Sequence, residues 1–251
     1  MNGENTRQAL RARHSGWRLP LAMLAARSLC WIAAQAAVAV FFLAAGRGDP
    51  WNAAAPWWSV YGILANLGCL GLLLVSARRE GIGFAALTGR LRLGRDLWLA
   101  AGAYMVMAAA VLMPAVWINR LMFGLDNPPM YPGLLSARDL PFWAVIVSFA
   151  VFAPLNALIE ETAYQGYVLA RLDAVFRRRW LAPVLVAFFW AAQHAFLPFI
   201  LDWQYAVWRF LYFFLGTLAF TLLYLLIRRL PPLILAHAAM DALAVFYTLR
   251  F

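Results

Sequence analysis

Apolar residues run through this chain in long stretches, and polar residues fall into short clusters between them. The stretches show neither the strict alternation of a half-buried strand nor the single stripe of a soluble amphipathic helix. They are apolar all round, which suits helices solvated by lipid. Seven of them approach or exceed the about 20 residues that a helix needs to cross a hydrocarbon core. They cover approximately 19–45, 56–77, 97–119, 142–170, 181–200, 207–227 and 231–250. The pattern predicts an all-α, polytopic transmembrane helical bundle of seven or eight membrane helices. It reads as one membrane domain over 1–251, with N-terminal helices over 1–141 and a second group over 142–251. The segment from Asp126 to Pro141, with Pro128, Pro129 and Pro132, is the longest non-helical piece and is expected to fold back over the bundle.

Composition supports the same class. With 65% hydrophobic and 13% charged residues and a mean hydropathy of +0.72, the chain lacks the polar surface a soluble domain of this length requires. The net charge of +10 comes from 21 Arg and no Lys against 11 acidic residues. No basic stripe with interleaved exposed aromatics accompanies it, so a nucleic-acid partner is not expected; the partners implied are the lipid bilayer and whatever reaches the helices through it. The arginines cluster over 1–18, 78–95, 171–179 and at Arg228 and Arg229, alternating with Arg-poor segments that hold Asp49, Asp126, Asp139 or Asp202. Positive loops are retained on the cytoplasmic side, which predicts a cytoplasmic N-terminus and an opposite C-terminus. The all-Arg, Ala-rich composition points to a bacterial gene and hence to the bacterial cytoplasmic (inner) membrane.

Local features follow from that frame. Arg7, Arg11, Arg13 and Arg18 look like the basic start of a signal, but the apolar run after them continues to Gly46 without a cleavage site, so it reads as an uncleaved first helix. Arg27 and Arg209 stand near span ends, where a long side chain can snorkel to the interface. Trp57, Trp58, Trp98, Trp143, Trp180 and Trp208 read as interface anchors. Cys30 and Cys69 lie in apolar spans and read as small core residues, with no disulfide framework or metal-type spacing.

Chemistry concentrates in the second half. Glu160, Glu161 and Asp241, with His194 and His237, fall inside predicted spans, where an ionisable group is costly and marks a functional or tightly paired site. His237 and Asp241 are four residues apart and share a helix face; Glu160 and Glu161, being adjacent, point about 100° apart, so only one faces a common cavity squarely. Gln165, four residues after Glu161, is its expected local partner. A carboxylate and an imidazole in a water-poor site suit general-base activation of water and stabilisation of an oxyanion. Two His and a carboxylate, Glu160, His194 and His237, also match a catalytic zinc site, so metal-free and zinc versions both stay open. His-Glu-x-x-His and Gly-x-Ser-x-Gly motifs are both absent from the sequence.

The order Glu160-Glu161-Thr162-Ala163-Tyr164-Gln165, then Trp190-Ala191-Ala192-Gln193-His194, then His237-Ala238-Ala239-Met240-Asp241 resembles the CAAX protease and bacteriocin-processing (CPBP, or Abi) family of intramembrane proteases. The resemblance covers roughly 142–251. It implies a protease acting on a membrane-associated or C-terminal peptide, in which Glu160 and His194 activate water and His237 and Asp241 stabilise the oxyanion. Asp241 would donate if protonated, or hold His237 in the donating tautomer if ionised. Glu161, Tyr164, Gln165 and Trp190 would support these groups. Gln165 replaces the family's usual Arg, and Trp190 its usual Phe. A degenerate relative that only binds a peptide or membrane protein, and a proton-coupled transporter, are the competing readings.

Overall fold

The structure is a computed structural model, and it describes residues 18–127, 129, 131, 140–178 and 180–248. Arg7, Arg11, Arg13 and most of the proline-rich segment after Asn127 lie outside the described residues, so the expected fold-back of that segment is not described. The described chain is helical: α1 (Arg18–Ala44), α2 (Pro50–Arg79), a short α3 (Phe84–Thr88), α4 (Leu93–Phe123), α5 (Phe142–Val175), α6 (Leu181–Gln193), α7 (Trp203–Ile227) and α8 (Pro231–Thr248). Five of them, α1, α2, α4, α5 and α7, are long and apolar enough to cross a membrane. The shorter α6 and α8 are apolar too, and all seven expected spans correspond to a helix.

The span expected over 181–200 is the main departure. Helix α6 stops at Gln193, and 194–202 continues as turns around a Phe196–Phe199 bridge. Irregular backbone at membrane depth survives only where protein groups satisfy it, and here they do. Gln35 donates to Phe199 O at 3.0 Å and accepts from Phe199 N at 2.8 Å, and Trp51 Nε1 donates to the same carbonyl at 2.9 Å. Arg209 donates to His194 O at 3.2 Å and Leu197 O at 2.8 Å while lying over the Phe213 ring. Arg209 is therefore a backbone clamp rather than a snorkelling side chain.

Loops rich in arginine meet at one end of the bundle. Arg171 pairs with Glu80, which also accepts from Tyr167, and its guanidinium stacks on the Tyr167 ring at 3.6 Å. Arg229 pairs with Asp96 at 2.7 Å and donates to Arg90 O. Of the six expected tryptophan anchors, Trp98, Trp143 and Trp180 are exposed, but Trp58 and Trp208 are buried, the latter donating to Asn119 at 2.6 Å. Both lie on faces turned to other helices, a property that proximity to a span end does not reveal. Cys69 is buried and Cys30 half-buried, and both thiols are free.

Helix α5 carries two π-helical stretches, Ser148–Phe152 and Thr162–Leu169, the second beginning directly after Glu161. Such stretches recur at functional sites because the change to i→i+5 bonding shifts which residues share a face. Helices α1, α2 and α5 approach closely around Gly62, where the Trp31 and Phe152 rings meet edge to face. A methyl at Gly62 would lie 2.3 Å from Trp31 Cη2 and 2.7 Å from Phe152 Cε2. Gly62→Ala is expected to lower the stability of the detergent-purified protein by about 1–3 kcal/mol. Gly71→Ala, with nothing within 4 Å, is expected to leave it equal or slightly higher, and thermal melting of the two variants side by side checks the contrast.

Candidate active site

Glu160 ends its helical turn with both carboxylate oxygens turned into the bundle, and it is fully buried. Oε1 accepts from Arg27 Nη2 at 2.6 Å and from Gln193 Nε2 at 2.6 Å, while Oε2 accepts from Trp190 Nε1 at 2.7 Å. Three helices, α1, α5 and α6, therefore converge on one carboxylate. The remaining acceptor capacity of Oε2 faces His237 Nε2, 3.5 Å away.

His237 on α8 is the second centre. Its Nδ1 lies 3.0 Å from Glu161 Oε1, and its Nε2 lies 3.5 Å from Glu160 and 3.6 Å from Asp241 Oδ1. Glu161, rather than Asp241, thus holds Nδ1 and directs Nε2 toward Glu160. Asp241 takes a different tie, accepting from Asn156 Nδ2 at 2.9 Å. The i, i+4 spacing put Asp241 on the correct face, but the reach across from α5 decides which carboxylate meets which ring nitrogen.

His194 caps α6 and stacks on Phe213 with ring centroids 3.7 Å apart. Its Nδ1 lies 2.9 Å from Trp190 O. A carbonyl only accepts, so Nδ1 carries the proton in this bond and Nε2 of the neutral ring is left with its lone pair. No direct hydrogen bond joins Glu160 to His194 among the described residues; Trp190 bridges them, donating from its indole to one and accepting at its carbonyl from the other. Trp190 also stacks on Tyr164 at 5.4 Å, and Tyr164 donates to Gln193 Oε1 at 3.0 Å. The exchange of Phe for Trp at 190 therefore adds a donor to Glu160 and is more than a change of aromatic bulk.

Two expectations need correction. Gln165 does not partner Glu161: its Nε2 donates to Thr221 on α7 at 3.0 Å, and both Glu161 Oε2 and Gln165 Oε1 are buried without a hydrogen-bond partner. The π-helical stretch that starts at Thr162 removes the i, i+4 alignment on which the expectation rested. Arg27 does not snorkel. It is 1% exposed, and besides Glu160 it donates to Gln193 Oε1 at 2.8 Å, Asn66 Oδ1 at 2.9 Å and Asn156 Oδ1 at 2.8 Å.

The zinc arrangement fits poorly. Among the described residues no group of three or more His, Cys, Asp or Glu is disposed to hold a metal ion. Glu160, the carboxylate such a site would need, already receives three donors, one of them a guanidinium. Arg27, Asn66, Asn156 and Gln193 were not anticipated as site residues. Their signal was present as polar groups in apolar spans: Asn156 stands four residues before Glu160, and Arg27, Trp31 and Gln35 repeat at four-residue intervals along the buried face of α1.

The helices that carry Glu160, His194 and His237 fall within residues 141–243, which match the family described as Type II CAAX prenyl endopeptidase Rce1-like. The match covers less than half of the chain. It agrees with the resemblance to CAAX-type (CPBP) intramembrane proteases, and together with the five long apolar helices it supports an integral membrane protein. No curated protein and no solved structure gives a significant match. All three motifs lie inside the Rce1-like range, whereas Arg27 and Asn66 reach the site from outside it.

Because Trp190 donates to a buried carboxylate, Trp190→Phe is expected to destabilise this protein. The stranded acceptor and lost contacts should cost about 1–3 kcal/mol, read as a lower midpoint in thermal melting in detergent. An unchanged midpoint would show that the indole bond contributes nothing.

Proposed function

We propose that the chain is an intramembrane endopeptidase in which Glu160 and His194 take a proton from a water molecule as it attacks a peptide carbonyl. His237, held by Glu161, and Asp241 stabilise the oxyanion. The observation that carries this reading is the convergence on His237 of carboxylates from two helices, Glu161 at 3.0 Å, Glu160 at 3.5 Å and Asp241 at 3.6 Å, in a buried setting. A proton shared in the Glu161–His237 bond allows Nε2 to carry a hydrogen and donate, and a donor aimed at a developing oxyanion gains strength where water is scarce. The proton taken from water returns to the leaving nitrogen, so no external acid is consumed. Glu161 and Trp190 are positioning residues in this scheme.

The substrate is a membrane-associated or C-terminal peptide able to unfold into the bundle at the depth of the site. At about 1.5 Å per residue, His237 lies about 9 Å and Gln193 about 18 Å from the Arg-rich ends of their helices. With that end cytoplasmic, as the Arg distribution favours, the site sits within the bilayer of a bacterial cytoplasmic membrane. One observation favours a non-catalytic peptide binder instead: three donors already occupy Glu160.

Cleavage of a peptide library by the detergent-solubilised protein separates these readings. Glu160→Gln keeps the volume but removes the base and one of the two acceptor oxygens, and His194→Ala removes its partner. Each is expected to reduce the rate by about 10² or more in protein that still melts cooperatively, with a lowered midpoint for Glu160→Gln because it strands the Arg27 guanidinium. A folded wild-type protein that cuts nothing, or a Glu160→Gln protein that cuts normally, sinks the scheme. Orientation is checked separately: a membrane-impermeant thiol reagent added outside intact cells is expected to modify Asp126→Cys and not Arg90→Cys, both positions being exposed.

A further inference from the structure

We infer that Arg27, supplied by α1 from outside the Rce1-like range, is a positioning residue for the reaction: it fixes the Glu160 carboxylate with Oε2 toward His237. This rests on the reading of Glu160 as the base. The guanidinium is buried and spends four hydrogen bonds on four side chains from α1's neighbours α2, α5 and α6: Asn66, Asn156, Glu160 and Gln193. Such a planar fork determines the direction of what it binds, which a lysine ammonium does not. Its effect on Glu160 is directional, because Arg27 and Gln193 fill Oε1 and leave Oε2 as the oxygen with capacity to receive a proton.

The same side chain links the base to the oxyanion side. Asn156 accepts from Arg27 through Oδ1 and donates to Asp241 through Nδ2, so the orientation of its amide is set by the guanidinium. Asn66, which accepts from Arg27, donates to Asn156 Oδ1 at 3.2 Å and reinforces that orientation. Position 165 cannot substitute, since Gln165 is neutral and engaged with Thr221. The titratable and charged groups that act on Glu160 from the packed helices are Arg27, Cys69, His194, His237 and Asp241, and Arg27 is the permanently charged one.

The test compares Arg27→Lys and Arg27→Gln with wild type, using the peptide cleaved by the wild-type protein, across a pH series and with thermal midpoints recorded. Arg27→Lys keeps charge and loses the fork: kcat is expected to fall at least about tenfold, with KM within about twofold and the acidic limb of the profile unmoved. Arg27→Gln loses both: kcat falls further and the acidic limb moves to higher pH, because removing a cation makes a neighbouring carboxylate easier to protonate. Wild-type kcat and wild-type limbs in folded variants would overturn the proposal. If Arg27→Gln does not fold, Arg27→Lys decides alone, and failure of Arg27→Lys to fold would assign Arg27 to stability only and equally overturn it. Glu160→Gln run in parallel separates the two levels: wild-type cleavage by that variant removes the base reading itself, whereas its loss of activity beside a normal Arg27 series removes only the role of Arg27.

Discussion

A guanidinium and a carboxylate meet at 2.6 Å in the interior of a bundle that lies in lipid, and most of the polar architecture hangs on that contact. Either charge alone in a hydrocarbon layer is costly, and breaking a buried pair by removing one partner typically costs about 3–5 kcal/mol because the other charge is stranded. Pairing is only part of the solution. Each member also has its remaining hydrogen-bonding capacity met by amides and an indole, Gln193, Asn66 and Asn156 on Arg27, and Gln193 and Trp190 on Glu160. The network can lie at membrane depth because it is satisfied almost completely from within.

Satisfaction at Glu160 contrasts with deficiency next door. Glu161 Oε2 and Gln165 Oε1 are both acceptors, both buried, and both without a donor. Unmet buried polar atoms cost free energy, and Trp31 Nε1, Trp58 Nε1 and Asn119 Nδ2 are unmet elsewhere in the bundle. The two at Glu161 and Gln165 flank the π-helical turn that follows the Glu-Glu pair, in the stretch where regular i→i+4 bonding is given up. Hydrogen bonds are concentrated on Glu160, and local irregularity follows Glu161, the carboxylate that holds His237.

The sequence made the reacting groups conspicuous because ionisable side chains in apolar spans have few innocent explanations; Glu160, Glu161, His194, His237 and Asp241 all stand out for that reason. Arg27 did not, since an arginine close to a span end has the interface as an alternative home. Helix α1 begins at Arg18, which puts Arg27 about 14 Å along it, and its face with Trp31 and Gln35 turns inward. Asn66, Asn156 and Gln193 were harder still, as neutral amides are tolerated in spans and carry no charge to draw notice. Which carboxylate meets which imidazole nitrogen was beyond reach from spacing, because helix rotation and the π-helical stretch after Glu161 decide it. The early end of α6 was hidden for a related reason: 194–200 remains apolar, and its backbone is satisfied by Gln35, Trp51 and Arg209 from distant parts of the chain.

Placing the counter-charge on α1 instead of on α5 changes what the geometry of the site depends on. A cation at position 165 would move with Glu161 as part of one helix, so its relation to the carboxylates would be set locally. Arg27 ties Glu160 to a helix outside the motif-bearing range, and the same side chain contacts Gln193, adjacent to His194, and Asn156, which holds Asp241. A displacement of α1 against α5 and α6 would therefore disturb Glu160, His194 and Asp241 together. Helix α1 is also fastened at Gln35 to the Phe199 backbone, in the irregular segment that begins at His194. Two anchors eight residues apart on one face of α1 thus hold the two ends of the stretch from Gln193 to Phe199, and the position of His194 is set between them.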